Sequence, residues 1–253
     1  MINNKKITVV MPAYNVEQTL EKTFNEIDRK IVDEVILVND FSSDNTEEIA
    51  NKLGITIVSH DKNKGYGAAQ KTGYINALKN GADIVVLLHP DYQYTPKLIP
   101  AMSAMIAYEE YDFVVASRIL RKTALTGGMP FYKFFANKML TFFQNLLLAE
   151  NLSEYHSGYK AYSRELLEAM PLEDFSNYFL FDNEILLSSI YNGFKVGEIS
   201  CPTKYFKEAS TMDFLNGCKY GSGVLKTGFM YFLAKLGIYK AKIFKKKSET
   251  VTR

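Results

Sequence analysis

The chain has 253 residues, 47% hydrophobic and 23% charged, enough to bury the core of one large domain or of a domain with an appendage. Its formal net charge of +2 excludes the strongly basic balance expected when nucleic acid is the main partner. Two cysteines, Cys201 and Cys218, make no disulfide framework and fit a reducing compartment, and no apolar run reaches the ~20 residues of a membrane-spanning helix.

In the first half, short apolar runs alternate with helical patterns, as in βαβ units around a parallel sheet. Strands are predicted at residues 7–11, 34–38, 55–58, 84–88 and 113–116. The first run is too short for a secretory signal and is interrupted by Pro12 and Asn15. A first helix is predicted over 16–29, and a second, capped by Ser43 or Asp44, runs to about 53. A third covers 65–80, closed by Gly81, and a fourth begins near Pro96, with proline in its first turn. Residues 84–88 are wholly apolar, which reads as a strand buried on both faces.

The second half is less regular. Residues 121–129, with Gly127 and Gly128, read as a mobile loop, and Pro130 opens an aromatic helix carrying Phe131, Phe134, Phe135, Phe142 and Phe143. That helix reads as core-facing, with a membrane-facing role as its alternative. A strand-like patch surrounds 158–162, helices are predicted at 164–170 and 182–191, and a last strand at 194–199. From Asp213 onward the pattern is helical and amphipathic, ending in Lys240, Lys242, Lys245, Lys246 and Lys247, read as a solvated tail with a membrane-surface role as its alternative. The expected organisation is a domain over 1–210, with halves 1–118 and 119–210, and a helical extension over 211–253.

The residues with chemical potential fall where these strands end. The first turn reads Met11-Pro12-Ala13-Tyr14-Asn15 and lacks the glycine pattern of a dinucleotide site. After the second strand, Asp40 lies too far ahead of the helix to cap it and could accept a hydrogen bond from a base or ribose. After the third, Asn63, Gly65, Gly67, Ala68 and Ala69 surround a helix N-terminus suited to phosphate. After the fourth come His89, Asp91 and Gln93 at alternating positions. In an extended chain alternate side chains share a face, so all three could converge on one cation. Ligands of open α/β sheets bind beyond the carboxyl ends of the strands, which points to a metal-assisted enzyme acting on a phosphorylated substrate. Arg118, Arg121 and Lys122 offer phosphate-binding groups, and Asp182 and Glu184 open a helix, as N-terminal acids or as acid–base groups.

The ordered series Pro12-Ala13-Tyr14-Asn15, Asn39-Asp40-Phe41-Ser42-Ser43-Asp44, Asn63-Lys64-Gly65-Tyr66-Gly67 and His89-Pro90-Asp91-Tyr92-Gln93 resembles family 2 glycosyltransferases of the GT-A fold. The likeness continues through Ala116-Ser117-Arg118, Gly127-Gly128-Met129-Pro130, Ser157-Gly158-Tyr159-Lys160 and Phe181-Asp182-Asn183-Glu184. Within that family the chain resembles dolichol- and undecaprenyl-phosphate sugar transferases.

The resemblance implies a mixed, mostly parallel α/β sheet flanked by helices, with amphipathic C-terminal helices. It implies an inverting enzyme that takes a UDP- or GDP-sugar donor and uses Mg²⁺ or Mn²⁺. The acceptor would be a polyprenyl phosphate at the cytoplasmic membrane face or, alternatively, a soluble glycan. The donor set would comprise Pro12, Ala13, Tyr14, Asp40, Asn63, Gly65, Ala68, Pro90, Arg121 and Lys204. The metal set would be His89, Asp91 and Gln93, and the catalytic set Asp91, Arg118, Asp182 and Glu184, with Glu184 toward the acceptor and Asp182 near the sugar. His156 would lie near the cleft, and Glu208 to Thr211 would form part of a lid.

Two positions depart from the family pattern: Asp-x-Asp becomes His89-Pro90-Asp91, and Asp-Asp-Gly becomes Asn39-Asp40-Phe41. His89 could ligate a softer ion such as Mn²⁺, bond the diphosphate, or mark lost metal dependence. A non-catalytic nucleotide-sugar-binding protein is the reading these departures leave open.

Overall fold

The computed structural model describes residues 1–121, 123–205 and 214–245. Lys122, the expected lid residues Glu208 to Thr211, and Lys246 and Lys247 lie outside the described residues.

The elements follow in chain order as β1 (Ile7–Ala13), α1 (Leu20–Asn25), β2 (Glu34–Asn39), α2 (Thr46–Lys52), β3 (Thr56–Ser59), α3 (Tyr66–Lys79) and β4 (Ile84–Leu87). A 3-10 turn (Pro96–Leu98) leads into α4 (Ile99–Ala107), followed by β5 (Phe113–Ser117), α5 (Thr123–Thr126), α6 (Phe131–Leu148), β6 (Lys160–Ser163) and α7 (Arg164–Ala169). Then come α8 (Phe181–Tyr191), β7 (Val196–Ser200) and α9 (Phe214–Lys235). The strands form one seven-stranded sheet in the order β3-β2-β1-β4-β6-β5-β7, parallel except for β6, which runs against β4 and β5. This is the mixed, mostly parallel α/β sheet the sequence implied.

β4 is paired on both edges, by β1 and β6, and packs into the core on both faces, Val85 and Leu87 on one and Ile84 and Val86 on the other, so all four are at most 1% exposed. An unbroken apolar run is what such a position requires. From β1 the chain winds outward through β2 and β3, then returns to the other side of β1 as β4. The carboxyl ends of β1 and β4 therefore flank the point where the strand order reverses, the place open α/β sheets leave a ligand crevice.

Three local expectations are corrected. The helix predicted over 16–29 occupies only Leu20–Asn25, because Val16 N–H donates to Thr46 Oγ1 (2.9 Å) and Glu17 N–H to Asp44 Oδ2 (3.0 Å). Those amides brace the start of α2 instead of their own helix. Residues 121–129, predicted as an irregular loop, carry the short helix α5, with Met129 buried beyond it.

The third correction concerns the aromatic helix, which does not face the core. α6 buries Asn137, Thr141, Gln144 and Leu148, while Phe131 is 71% exposed, Phe142 60% and Leu146 70%. Its inward face is polar because it serves polar neighbours. Asn137 Nδ2 donates to Glu154 Oε1 (2.8 Å), Asn183 Nδ2 donates to Gln144 Oε1 (3.2 Å), and Asn145 exchanges bonds with the backbone of Leu152 (2.8 and 3.0 Å). A buried amide without such partners would cost about 1–3 kcal/mol.

Candidate active site

A cavity of about 430 Å³ opens at the strand ends. β1 contributes Pro12 and Ala13, the turn after β2 Asp40, the turn after β4 His89, Pro90 and Asp91, and the end of β5 Arg118. The opposite wall comes from Asp182 of α8, Tyr220 of α9, and His156 and Gly158 ahead of β6.

On the β2 side, Asp40 is 4% exposed and accepts from Lys64 N–H (2.8 Å) and Gly65 N–H (2.9 Å). Its Oδ1 also lies 2.6 Å from His60 Nδ1, whose Nε2 reaches Thr72 Oγ1 at 2.9 Å. The carboxylate thus fixes the 60–65 loop against the floor of the cavity. Gly65 is required there: its φ of 97° is left-handed, and a Cβ would sit 2.6 Å from the Asn177 carbonyl. The amides of Gly67 and Ala68 both donate to that carbonyl, at 2.8 and 3.1 Å. The expected phosphate site at the start of α3 is corrected by this contact, because its donors are already engaged within the protein. Ala68 does not line the cavity.

Residues 90–93 turn, so the chain lacks the extended run that would place His89, Asp91 and Gln93 on one face. β4 ends at Leu87, and Tyr92 adopts a left-handed backbone with φ 59°. Asp91 and Gln93 are 6% and 8% exposed and line the cavity together with His89. Asp91 Oδ1 accepts from Gln93 N–H (3.1 Å), and the carboxylate has no ion-pair partner among the described residues. A buried carboxylate without a cation is the feature a divalent ion would complete. Among the described residues no group of three or more His, Cys, Asp or Glu side chains gathers to hold a metal. The residues present therefore fit a hard cation held by Asp91, with further oxygens supplied by a diphosphate.

His89 is built into a chain of hydrogen bonds. Its Nε2 lies 2.6 Å from Tyr66 Oη, which donates to Asp182 Oδ2 (2.9 Å), so Nε2 carries a proton and donates to Tyr66. The ring occupies the space a side chain at position 158 would need, since a Cβ on Gly158 would lie 2.5 Å from His89 Cε1.

Asp182 anchors the far wall. Lys160 Nζ, fully buried, lies 3.2 Å from Asp182 Oδ1 and donates to the Asp182 carbonyl (2.8 Å). Burial pushes the Lys160 ammonium below its ordinary pKa, and Asp182 opposes that shift. Glu184 does not line the cavity. It accepts from Ser176 N–H (2.6 Å), and burial raises its pKa.

Arg118 is held from behind by Glu154, which is fully buried. Glu154 Oε1 accepts from Nε (2.8 Å) and Nη2 of Arg118, and Oε2 accepts from the Arg118 amide (2.7 Å). Nη1 reaches Tyr205 Oη at 3.1 Å. Burial would raise the Glu154 pKa, but the guanidinium beside it and the hydrogen bonds donated by Arg118 and Asn137 hold it below the ordinary carboxylate range. Nη2 also donates to the His156 carbonyl (3.1 Å), so four of the five guanidinium N–H groups are used within the protein and Arg118 is held in place before any ligand arrives.

His156 Nδ1 lies 2.8 Å from Tyr220 Oη, and its buried Nε2 has no hydrogen-bond partner among the described residues. Burial pushes its pKa down to about 3. Between pH 3 and the ordinary value of about 6.5 the unfolded chain binds a proton that the folded chain refuses, so stability falls as pH drops through that window. In thermal unfolding from pH 7.5 to 4.5, the slope of stability against pH should be smaller in His156→Gln than in the wild type by up to about 1.4 kcal/mol per pH unit. Equal slopes would contradict a neutral buried imidazole.

The cavity thus gathers Pro12, Ala13, Tyr14, Asp40, Asn63, Gly65, His89, Pro90, Asp91, Gln93, Arg118 and Asp182, all singled out in the sequence. Arg121 and Lys204 do not line it; Lys204 Nζ stacks over the Tyr92 ring at 5.4 Å. Sequence reasoning missed His60, Tyr66, Glu154 and Tyr220, and quoted Lys160 without a role. Only Tyr66 and Lys160 lay inside recognised motifs.

Comparison with known proteins agrees with this arrangement. The profile described as Glycosyl transferase family 2 matches residues 8–170. The UDP-N-acetylglucosamine–dolichyl-phosphate N-acetylglucosaminyltransferase of Methanococcus voltae is 28% identical over 80% of this chain and 87% of its own. The dolichyl-phosphate hexose transferase of Haloferax volcanii is 29% identical over 87% of this chain and 92% of its own. Glucosyl-3-phosphoglycerate synthase from Mycobacterium tuberculosis, solved with Mn²⁺, UDP and phosphoglyceric acid, superposes with a TM-score of 0.67 at 20% identity, over 94% of this chain and 81% of that one. The last match speaks to the fold alone. With the profile spanning most of the sheet and every strand end that builds the cavity, the chain belongs to glycosyltransferase family 2 and has the GT-A fold.

Proposed function

We propose that this glycosyltransferase moves a sugar, with inversion, from a nucleotide-diphosphate sugar to a polyprenyl phosphate at a membrane face. The observation that carries the reading is the convergence, in one cavity at the strand-order reversal, of the unpaired carboxylate of Asp91 and the pre-oriented guanidinium of Arg118. The first suits a metal-bound diphosphate and the second suits an acceptor phosphate. The names of the Methanococcus and Haloferax relatives support a lipid-phosphate acceptor.

In the reaction the bond from the sugar C1 to the diphosphate oxygen breaks, and a bond from C1 to an acceptor phosphate oxygen forms on the opposite face. A divalent ion, Mg²⁺ or Mn²⁺, would neutralise charge on the departing diphosphate when bound, held by Asp91 with Gln93 and His89 beside it. The chain's own groups do the positioning. Tyr14, 54% exposed at the rim, offers a ring to the nucleobase, while Asp40 keeps the 60–65 loop in place beneath the nucleoside. Asp182, fixed by Lys160 and Tyr66, presents an oriented carboxylate to the sugar hydroxyls. Arg118 orients the acceptor phosphate. An already ionised phosphate needs no strong general base, which accords with Glu184 being committed to Ser176 N–H.

The test is transfer from a panel of labelled UDP- and GDP-sugars to detergent-dispersed polyprenyl phosphate, with soluble sugars and phosphorylated small molecules as competing acceptors. Label should move into the organic phase with one donor and require added Mg²⁺ or Mn²⁺. Label moving only to soluble acceptors would overturn the lipid reading.

A further inference from the structure

One surface helix is built with its polarity reversed, and its neighbour is apolar on its outer face as well as on the inner face that joins the core. α6 turns Asn137, Thr141 and Gln144 inward and presents Phe131, Phe135, Met139, Phe142, Phe143 and Leu146 to solvent. The outward residues recur at three- and four-residue spacing, so they form a continuous stripe. α9 packs beside α6, with Gly228 admitting Leu147 closely, and presents a second stripe of Leu225, Phe229 and Phe232, continued by Leu236 just past its end. A monomer in water gains nothing from keeping such stripes exposed, and surfaces of this kind mark interaction sites.

The charges on the same helices identify the partner. α6 carries Lys133 and Lys138, and residues 214–245 carry Lys219, Lys226, Lys235, Lys240, Lys242 and Lys245; neither segment contains an aspartate or glutamate. With 30 basic and 28 acidic residues in all, the rest of the chain is acidic on balance. Lys138, Lys219, Lys226 and Lys240 are exposed. Two copies of this face would set lysine against lysine, which disfavours self-association. An anionic bilayer offers acyl chains to the aromatic stripes and phosphates to the lysines. No helix among the described residues is long and apolar enough to cross a membrane, so the pair fits a position in the plane of the interface.

We propose that the outer face of α6 and α9 docks on the surface of an anionic phospholipid bilayer. The face is joined to the active site through its buried side. Tyr220 of α9 lines the cavity and meets His156, and Asn137 of α6 supports Glu154 behind Arg118. Docking would therefore set the Arg118 side of the cavity close to the lipid phosphates. The inference deepens the lipid-acceptor reading and rests on it for its purpose, but the docking itself is tested without any acceptor.

The 253-residue chain is sedimented with acceptor-free vesicles of phosphatidylcholine alone or mixed with phosphatidylglycerol, at low and high salt. Wild type should pellet with the phosphatidylglycerol vesicles and be released by salt. A triple variant, Phe135→Ser, Phe142→Ser and Phe229→Ser, should partition about a hundredfold less while keeping its melting temperature, since all three rings are exposed. Lys138→Gln and Lys226→Gln should each weaken binding to anionic vesicles about fivefold and leave the weak binding to neutral vesicles unchanged. Failure of wild type to pellet, or a triple variant that pellets equally, overturns the proposal. A wild-type dimer that the triple variant dissolves would reassign the face to self-association and also overturn it. Vesicle binding without transfer to polyprenyl phosphate would sink the acceptor reading alone, and transfer in detergent without vesicle binding would sink the docking face alone.

Discussion

Asp91→Ala should lower the rate of sugar transfer about a thousandfold, the scale on which losing a principal metal ligand removes transition-state charge stabilisation. Its fold should survive. The wild-type carboxylate is 6% exposed and has no ion-pair partner among the described residues, so removing it relieves a desolvation cost. The melting temperature of the unliganded variant should therefore equal or exceed that of the wild type. A second readout separates metal binding from general damage. UDP or GDP with Mn²⁺ should raise the wild-type melting temperature by more than the nucleotide alone, and in Asp91→Ala that increment should vanish. Transfer within tenfold of wild type, or a retained metal increment, would remove Asp91 from the site.

The largest loss of stability is expected from Glu154→Ala. The substitution leaves the Arg118 guanidinium, 13% exposed, without its carboxylate, and it also strands Asn137 Nδ2. Breaking a buried pair from one side costs about 3–5 kcal/mol. For a domain of this size that corresponds to a fall in melting temperature of about 10 °C. Glu154→Gln keeps the shape and part of the hydrogen bonding and should lose less. The pH dependence has a definite sign. The folded carboxyl titrates below its unfolded counterpart, so its contribution is complete above about pH 4.3 and is lost as pH falls through the lower folded value. Calorimetry of wild type and Glu154→Ala between pH 7 and 3 should show the two converging in acid. An Ala variant melting within about 2 °C of wild type at pH 7 would mean the pair contributes nothing net.

Why Asp91 was legible in the sequence and Glu154 was not follows from distance along the chain. Each strand-end motif is local: an apolar run marks a buried strand, and the polar residues just after it must lie at the sheet's edge. Pro12, Asp40, Asp91 and Arg118 could be placed that way, and their order carried the family resemblance. Glu154 supports Arg118 across 36 residues, Tyr66 reaches Asp182 across 116, and Tyr220 meets His156 across 64. No periodicity records such pairs.

One expectation failed because a local rule was overridden by a distant partner, and one geometry changed because the chain turns. The α3 N-terminus looked like a phosphate site, but its amides are taken by the Asn177 carbonyl. The alternation of His89, Asp91 and Gln93 implied one face of an extended strand, but Tyr92 turns the backbone, and the three line the cavity from a turn instead. The aromatic helix failed for another reason. A hydrophobic stripe specifies that one side of a helix avoids water, not which side faces the protein. The sequence by itself determined the strands, the crevice at their carboxyl ends and the family, because those depend on neighbours a few residues apart. Only the tertiary structure decided that α6 turns its amides inward to Glu154 and Asn183 and its aromatics outward, because buried polar groups must find partners wherever the fold has placed them.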